Sequence, residues 1–313
     1  MDRLEGFPAS LSHPSGYYLM NKSRMVRAEH RAALLFLLPN IIGFLIFSLI
    51  PTVSSFALSF VDWGLLDKPS FTGLANYREL LKDSIFWLTL KNTALYSFVK
   101  VPLNLVLSLL LAILLNKQLR GRNFFRAIAF LPSVCSSVAV ALIWAPLLES
   151  SNNGLINHML SFFGIDAIPF LVSPAWAMPS VIFVGLWKEL GYFMVIFLAG
   201  LQGISRSYYE AASIDGANAR TVFFNVTLPL ISPTTFFALT TSLIGSFQIF
   251  DLTSVLTKGG PANATNTLVM YIYQNGFQFF RMGYASALSL ILFVAIFIIT
   301  LVQNHYSDKW VFN

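Results

Sequence analysis

Long apolar stretches dominate this chain of 313 residues and decide what it can fold into. An α-helix needs about 20 consecutive apolar residues to cross a hydrocarbon layer roughly 30 Å thick, because each residue rises about 1.5 Å. Stretches of this kind follow one another along the chain: Ala33 to Phe60, Thr93 to Leu115, Ala127 to Leu148, Pro179 to Leu201, Ile231 to Leu256 and Tyr284 to Gln303. Charged residues make up only 11% of the chain, well below the quarter or so of a soluble domain. The sequence therefore predicts an all-α, polytopic membrane protein with about six transmembrane helices.

The distribution of Lys and Arg predicts the orientation, because short cytoplasmic loops collect positive charge. Of the 20 such residues, twelve lie in the N-terminal segment, the second-to-third link, the fourth-to-fifth link and the C-terminus, and six lie in the alternate links. The remaining two, Lys100 and Lys188, fall within spans. We therefore expect both termini in the cytoplasm, with residues 1–32 as a cytoplasmic segment and residues 33–313 as the membrane domain.

Sequence signals of an enzyme are missing from the chain. It contains no GxxxxGK[ST] phosphate loop, no HExxH and no GxSxG, which are the local signatures of nucleotide, zinc and serine chemistry. Its single cysteine, Cys135, excludes a CxxC pair, and its four histidines are scattered. We expect no catalytic residue, no metal site and no cofactor within this chain. Energy for any transport must come from an ion gradient or from another polypeptide.

The link between the first two spans predicts a further helix. From Phe71 to Phe86, apolar residues recur at roughly helical spacing with charged residues between them. This pattern suits a helix at the outer membrane interface, with packing on the bundle as the alternative. Within the spans, residues such as Pro102, Pro132 and Gly191 favour a bundle around a pathway, because freed backbone groups are tolerated beside other helices or a water-filled cavity.

A polar link at residues 202–229 carries its own start and stop signals for a helix. Ser207 and Glu210 have the S-x-x-E spacing of a capping box, which predicts a helix that begins near Tyr208. Gly216 can adopt the positive φ that ends a helix. A second apolar-periodic stretch then runs to the Leu-Pro pair. Helices this short are marginal in water, so the bundle or a docked partner must hold them.

The same link resembles the EAA loop of permease subunits of bacterial binding-protein-dependent ABC importers. That loop reads EAA, three residues, Gly, nine residues, Ile, one residue, Leu-Pro, and this chain differs from it only by Val226 in place of the isoleucine. The residues that match the motif are Glu210, Ala211, Ala212, Gly216, Leu228 and Pro229, with Asp215 inside it. The resemblance implies that this loop is the coupling helix that contacts a cytoplasmic ATPase subunit.

Two further segments are similar to the carbohydrate branch of that family, which includes maltose and glycerol-3-phosphate permeases. Residues Phe71 to Tyr77 resemble the F-x-G-L-x-N-Y that precedes the second span, and Leu256 to Pro261 resemble the LT-x-GGP that follows the fifth. The resemblance implies a second homologous permease subunit, an ATPase dimer that binds ATP and Mg, and an extracytoplasmic solute-binding protein. It also implies a sugar substrate and a place in the bacterial inner membrane, with no nucleic acid as a partner.

Candidate substrate-pathway residues lie in the fourth and fifth spans, because a sugar needs aromatic platforms and a few hydrogen-bonding groups near the midplane. In maltose-type permeases the matching stretches line the pathway. The candidates are Trp187, Lys188, Gly191, Tyr192, Ser246, Phe247, Gln248 and Asp251. Two alternatives stay open. Lys188 and the adjacent Glu189 could instead pair with Lys100, Arg126 or the partner permease, and the aromatic residues could merely pack.

Together these features predict the permease subunit of an ATP-driven importer that moves a sugar, either an oligosaccharide or a glycerol-3-phosphate-like solute, by alternating access. The alternative is an ion-coupled secondary transporter, which would need its own coupling carboxylates. Asp251 and Glu189 are the only candidates for that role within the spans.

Overall fold

A computed structural model describes residues 29, 33–64, 68–151, 154–307 and 309–311. The chain divides into two compact units, residues 1–54 and 55–313. The proposed cytoplasmic segment, residues 1–32, lies outside the described part of the chain except for Glu29. In the first unit, residues 33–54 are helical and contain a π-helical turn at Leu45–Leu49. They form most of helix α1 (Ala33–Leu58).

In the part of the second unit that the structure describes, the regular structure is helical apart from one two-stranded antiparallel ribbon. Strands β1 (Val61–Asp62) and β2 (Ser70–Phe71) pair with Val61 opposite Phe71. The α-helices that follow are α2 (Ala75–Lys82), α3 (Ser84–Asn116), α4 (Arg122–Val134), α5 (Ser137–Leu147), α6 (Leu155–Ser161), α7 (Pro174–Gly203), α8 (Arg206–Ile214), α9 (Ala219–Val222), α10 (Leu228–Leu230), α11 (Ser232–Phe247), α12 (Asp251–Leu256), α13 (Leu268–Tyr273) and α14 (Met282–Ser307). Two π-helical turns, Phe223–Thr227 and Gln274–Gln278, join α9 to α10 and extend α13.

Among the described residues, five helical segments are long and apolar enough to cross a membrane: Ala33–Leu58, Ser84–Asn116, Pro174–Gly203, Ser232–Leu256 and Met282–Ser307. The pair α4 and α5 passes the same test together but bends by 100°, so the number is six if this pair is one span. The prediction of about six transmembrane helices is confirmed. At the bend, Cys135 is extended with ψ of 145°, and the Ser136 hydroxyl accepts a hydrogen bond from the amide of Ala139 at 3.1 Å. This capping starts a new helix in a new direction.

Helices α3 and α7 form the centre of the second unit, and most of the other long helices pack on one or both of them. One buried apolar cluster surrounds Tyr96 and Val181 and includes residues of α5 and α12. A second surrounds Phe197, and a third, around Leu268 and Leu288, joins the start of α3 to α11, α13 and α14. The bundle therefore buries its apolar side chains along the two central helices, while many others remain exposed on its outside, as expected where lipid is the solvent.

The link before α3 differs in one respect from the prediction of a single interfacial helix. Helix α2 ends at Lys82, and Asp83 is extended with ψ of 110°. Its carboxylate accepts a hydrogen bond from the amide of Ile85 at 2.8 Å and thereby caps α3. Ile85 and Phe86 consequently belong to the long second span, so the predicted end of the link helix at Phe86 is wrong. A capping carboxylate outweighs the continuing apolar pattern here.

The segment after α12 is held against α3 by hydrogen bonds. The Thr257 and Thr265 hydroxyls lie 2.6 Å apart, and Thr265 also donates to the carbonyl of Gly260 at 2.8 Å. The Gly260-Pro261 peptide bond is cis. The amide of Leu268 then donates to the Thr93 hydroxyl at 2.9 Å. The LT-x-GGP segment thus forms an ordered turn that connects two spans.

Candidate functional site

A polar stripe on α3 lies against α7. It consists of side chains spaced four residues apart, which brings them to one face of a helix: Tyr96, Lys100, Asn104 and Ser108, all buried. The Ser108 hydroxyl donates to the carbonyl of Leu190 at 3.0 Å. Opposite Tyr96 stands Gly185, where an added Cβ would lie 2.5 Å from the phenolic oxygen. The absence of a side chain at Gly185 therefore lets the two helices approach at this stripe.

Lys100 and Glu189 form an ion pair between these two helices. The Lys100 side chain is 1% exposed and donates to Oε2 of Glu189, whose side chain is 34% exposed. Sequence analysis left this pairing open as one of several alternatives for Glu189, and the structure selects it. A charge within a span is costly when it faces lipid, and the ion pair places both charges inside the bundle.

A polar cavity of about 160 Å³ adjoins this ion pair. Its walls come from α3, α5, α7 and the region where the fifth span is interrupted: Tyr96, Ser137, Lys188, Glu189, Gly245, Gln248, Ile249, Phe250, Asp251 and Leu252. Helix α11 ends at Phe247 and α12 begins at Asp251. The three residues between them are outside regular helix in the middle of a span, which is characteristic of substrate sites in transporters.

Opposite charges are balanced around this cavity. Glu189 and Asp251 supply two carboxylates, Lys188 supplies one ammonium group, and Lys100 supplies a second from behind Glu189. Gln248 and the Tyr96 and Ser137 hydroxyls add neutral hydrogen-bonding groups, and Phe250 adds an aromatic ring. Such a set can exchange hydrogen bonds with a hydroxyl-rich solute. No cluster of His, Cys, Asp or Glu that could hold a metal ion occurs within the described ranges.

Three of the eight candidate pathway residues meet at the cavity, namely Lys188, Gln248 and Asp251. Trp187 instead packs edge-on against Trp144 with 5.3 Å between ring centroids, and it is 40% exposed. Tyr192 is also exposed and contacts the adjacent Phe193 ring. These two positions match the packing alternative as well as they match a role in the pathway.

The remaining three candidates are buried away from the cavity lining. An added Cβ at Gly191 would lie 1.8 Å from the carbonyl oxygen of Ala129, so this residue permits close packing of α7 on α4. The Ser246 hydroxyl donates to the carbonyl of Leu243 at 2.8 Å. Phe247 is 5% exposed and belongs to the third apolar cluster. Their proposed part in the pathway stays a prediction.

Sequence reasoning did not single out Tyr96, Ser137 or Phe250 as cavity residues. No motif marks them, since each is an ordinary residue of an apolar span. The available signal was weaker: Lys100 and Glu189 carry opposite charges within two different spans, and Tyr96 lies one helical turn before Lys100. A search for residues one turn from such a charge would have found Tyr96.

Two short helices form the link between the fourth and fifth spans. Helix α8 begins at Arg206, and its N-cap is Ser205, which has ψ of 137° and accepts a hydrogen bond from the Ser207 amide at 3.4 Å. The predicted capping box of Ser207 and Glu210 is therefore wrong, and the helix begins two residues earlier than Tyr208. Both serines can cap a helix, but only Ser205 has the extended backbone that an N-cap requires.

The end of α8 is formed as the sequence predicts. Gly216 has φ of +72°. Its amide donates to the carbonyl of Ser213 at 3.1 Å, and the amide of Ala217 donates to the carbonyl of Ala212 at 2.9 Å. This pair of bonds is the Schellman motif, which satisfies the last carbonyls of a helix. Asn218 then caps α9 through the amide of Thr221 at 2.9 Å.

The outer face of α8 is accessible. Glu210 and Ala211 are exposed, and Ile214 is 86% exposed. On its other side, Tyr209 lines a groove of about 500 Å³ between α8, α9 and the end of α3. An apolar side chain as exposed as Ile214, next to a carboxylate and small alanines, offers a contact surface for another protein.

A separate cluster of polar groups joins the start of α3 to α13 and α14. The Asp83 carboxylate accepts hydrogen bonds of 2.6 Å from the hydroxyls of both Tyr271 and Tyr284. Burial raises the pKa of Asp83, but these bonds and the bond from the Ile85 amide outweigh it and hold the pKa below its usual value. Burial, together with the bond to Asp83, raises the pKa of Tyr271 to about 12. Nearby, Arg281 binds both carboxylate oxygens of Glu79.

The chain matches known proteins along most of its length. Residues 104–311 match the family described as "Binding-protein-dependent transport system inner membrane component". A probable ABC transporter permease protein, YesP of Bacillus subtilis, is 39% identical over 302 residues, which cover 95% of this chain and 97% of that protein. The lactose transport system permease protein LacF of Rhizobium radiobacter is 37% identical over 282 residues and covers 88% of this chain, with 93% of LacF matched.

A solved structure has the same fold. It is a chain of a bacterial alginate ABC transporter in complex with an alginate pentasaccharide-bound periplasmic protein. The two chains are 30% identical with a TM-score of 0.80, over 91% of this chain and 98% of the other. Since the matched family consists of binding-protein-dependent systems, the alternative of an ion-coupled transporter is not supported.

Proposed function

Since this chain belongs to the family of binding-protein-dependent transport system inner membrane components, we propose that it is the permease subunit of an ATP-driven importer that carries a sugar into the cytoplasm. The relatives include a lactose permease, and the solved relative belongs to an alginate transporter. In this chain, the observation that carries the proposal is the cavity at the interruption of the fifth span, because its hydroxyl, amide and carboxylate groups match the hydrogen-bonding chemistry of a sugar.

The complete importer contains further subunits in this proposal. A second, homologous permease forms the other half of the pathway, and an ATPase dimer binds ATP and Mg outside this chain. An extracytoplasmic solute-binding protein delivers the sugar. This chain then supplies one wall of the pathway and no catalytic residue.

Residues 202–229 form the coupling loop, and they lie in the cytoplasm together with both termini. Closure of the ATPases on ATP displaces α8 and thereby switches the bundle from an inward-facing to an outward-facing state. Three features support this role: the match of Glu210 to Gly216 with the EAA motif, the exposed face that includes Ile214, and the Schellman end at Gly216 that fixes the angle between the two short helices.

Uptake by the reconstituted complex tests the proposed function. The chain is expressed with its partner permease, ATPase and solute-binding protein, and liposomes containing the complex are loaded with ATP and Mg. Labelled sugars from a panel are then added outside together with the binding protein. We expect uptake of at least one sugar that depends on both internal ATP and the binding protein. Uptake that needs no ATP and instead follows an imposed proton or sodium gradient would contradict the proposal.

A further inference from the structure

We infer that Glu189 is the specificity-determining acceptor for sugar hydroxyls in this cavity and that Lys100 is the positioning residue that holds it there, so that the chain selects an uncharged saccharide over an acidic one. This inference rests on the proposed function and deepens it, since it names the chemical class of the substrate.

The first step of the argument is the burial of Lys100. Its side chain is 1% exposed, its ammonium group donates to Oε2 of Glu189, and it lies 6.0 Å from the centroid of the Tyr96 ring. A buried ammonium group needs a partner of opposite charge, because removing an unpaired charge from water is costly. Lys100 therefore fixes the Glu189 side chain in one position, where a free glutamate on a helix would sample several rotamers.

The second step is that Glu189 remains available to a ligand. Its side chain is 34% exposed and lines the cavity. Within the described residues, its Oε1 atom accepts no hydrogen bond, while Oε2 is used by Lys100. A carboxylate oxygen held in place beside neutral donors and acceptors can accept a hydrogen bond from a sugar hydroxyl. Charge-assisted bonds of this kind are stronger than neutral ones.

The third step concerns charge. Lys100 neutralises Glu189, and the cavity is also lined by Lys188 and Asp251, so the formal charges of these four residues sum to zero. An uncharged saccharide keeps that balance. A uronic acid would bring a further carboxylate close to Glu189 and Asp251, and among the described residues Lys188 is the only lysine that lines the cavity itself. Like charges at short range oppose binding.

Uptake kinetics of the reconstituted complex test this inference with two probes of equal length, maltotriose as the uncharged trimer and trigalacturonate as the acidic one. We expect the wild type to prefer the uncharged trimer. Glu189→Gln should raise the KM for the uncharged trimer about tenfold with little change in the maximal rate, because it weakens one charge-assisted bond. The same substitution should bring the KM for trigalacturonate closer to the KM for maltotriose, because it removes a negative charge that repels the acidic trimer.

Lys100 is tested as a positioning residue by two substitutions. Lys100→Met should raise the KM for the uncharged trimer, and Lys100→Arg, which keeps the ion pair, should restore it. A merely structural Lys100 would instead lower the amount of assembled complex and the rate for both probes equally. Where Glu189→Gln leaves Lys100 unpaired and blocks assembly, the double variant Lys100→Met with Glu189→Gln removes both charges together. It leaves the charge balance of the cavity unchanged and tests the loss of the acceptor through the KM for the uncharged trimer.

The outcomes separate this inference from the proposed function. The role of Glu189 is overturned, and the proposed function stands, if the wild type imports sugar but Glu189→Gln leaves the ratio of the two KM values unchanged. The same conclusion follows if the double variant leaves the KM for the uncharged trimer unchanged. Preference of the wild type for the acidic trimer also overturns the inference alone. A wild-type complex that imports no sugar of the whole panel, charged or uncharged, overturns the proposed function and this inference with it.

Discussion

The side-chain amide of Asn92 donates a hydrogen bond to the backbone carbonyl of Asn266 at 2.9 Å, across 174 positions of sequence. The same amide donates to the carbonyl of Asn263 at 2.8 Å. One buried side chain of α3 therefore holds both ends of the short turn that follows the Gly260-Pro261 bond.

Asn92→Ala should lower the stability of the folded chain. It removes two hydrogen bonds, each of about 1 kcal/mol net, and takes from the Asn266 carbonyl its side-chain donor, while the Asn263 carbonyl keeps a bond from the Asn266 amide at 3.1 Å. The measurement is thermal unfolding of the purified complex in detergent, with Asn304→Ala as a control at an exposed position of α14. Equal melting temperatures for the two variants would show that the turn is held by its other contacts.

Gly191→Ala should destabilise the packing of α7 on α4, because the new Cβ would meet the carbonyl oxygen of Ala129. Overpacking of this kind costs about 1–3 kcal/mol. Gly203→Ala is the matched control, since an added Cβ there meets no atom within 4 Å. The readouts are melting temperature and sugar uptake. Normal stability with lost uptake would instead favour the predicted place of Gly191 in the pathway.

Asp83→Asn should make stability less dependent on pH. The hydrogen bonds from Tyr271 and Tyr284 lower the pKa of Asp83 in the folded chain, so its stabilising contribution is complete above the unfolded pKa of about 3.9 and is lost as the pH falls through the folded pKa. The wild type should therefore exceed the variant in melting temperature at pH 7, and the difference should shrink below about pH 4. Asp62→Asn, at an exposed position, should show no such convergence.

Gly216→Val should uncouple ATP hydrolysis from uptake while the chain still enters the membrane. A β-branched residue at φ of +72° is strained by about 1–2 kcal/mol and should change the angle between α8 and α9. Gly164→Val is the matched control, because Gly164 also has a positive φ of +73° and open space around it. Normal uptake in Gly216→Val, or equal loss in both variants, would contradict the coupling role of this loop.

Cysteine labelling tests the proposed topology. In a Cys135→Ala background, single cysteines at the exposed positions 155, 158, 161 and 262 should react with an impermeant maleimide added to whole cells. Cysteines at positions 205–218 should react only after the membrane is opened. Labelling of the last group from outside would contradict both the orientation and the coupling role of the loop.

The spans and the end of α8 could be predicted because their signals are local. An apolar stretch of sufficient length has few alternatives to a spanning helix. Gly216 has no Cβ, so a positive φ at this position costs little conformational energy. The sequence predicts the start of α8 less well, because two residues could serve as its N-cap. Ser205 and Ser207 are both good capping residues, and only the backbone that follows Ile204 decides which of them is extended.

The cavity could be predicted only in part, because its members come from helices whose rotation one sequence does not reveal. Lys100 and Glu189 are 89 positions apart, and many pairings would have satisfied either charge. Phe247 and Gln248 are neighbours, yet the first is buried and the second lines the cavity. Helix α11 ends between them, and neither Gly nor Pro occurs among the three interrupting residues 248–250.

The bend between α4 and α5 also gives the chain a native reporter. Cys135 is the only cysteine of the sequence, and it lies exposed at the bend itself. A maleimide fluorophore will therefore attach once per chain, without any substitution. If the fluorophore is sensitive to polarity, its emission wavelength will report the polarity around residue 135. Emission can then be compared between nucleotide-free, ATP-bound and sugar-loaded preparations of the complex.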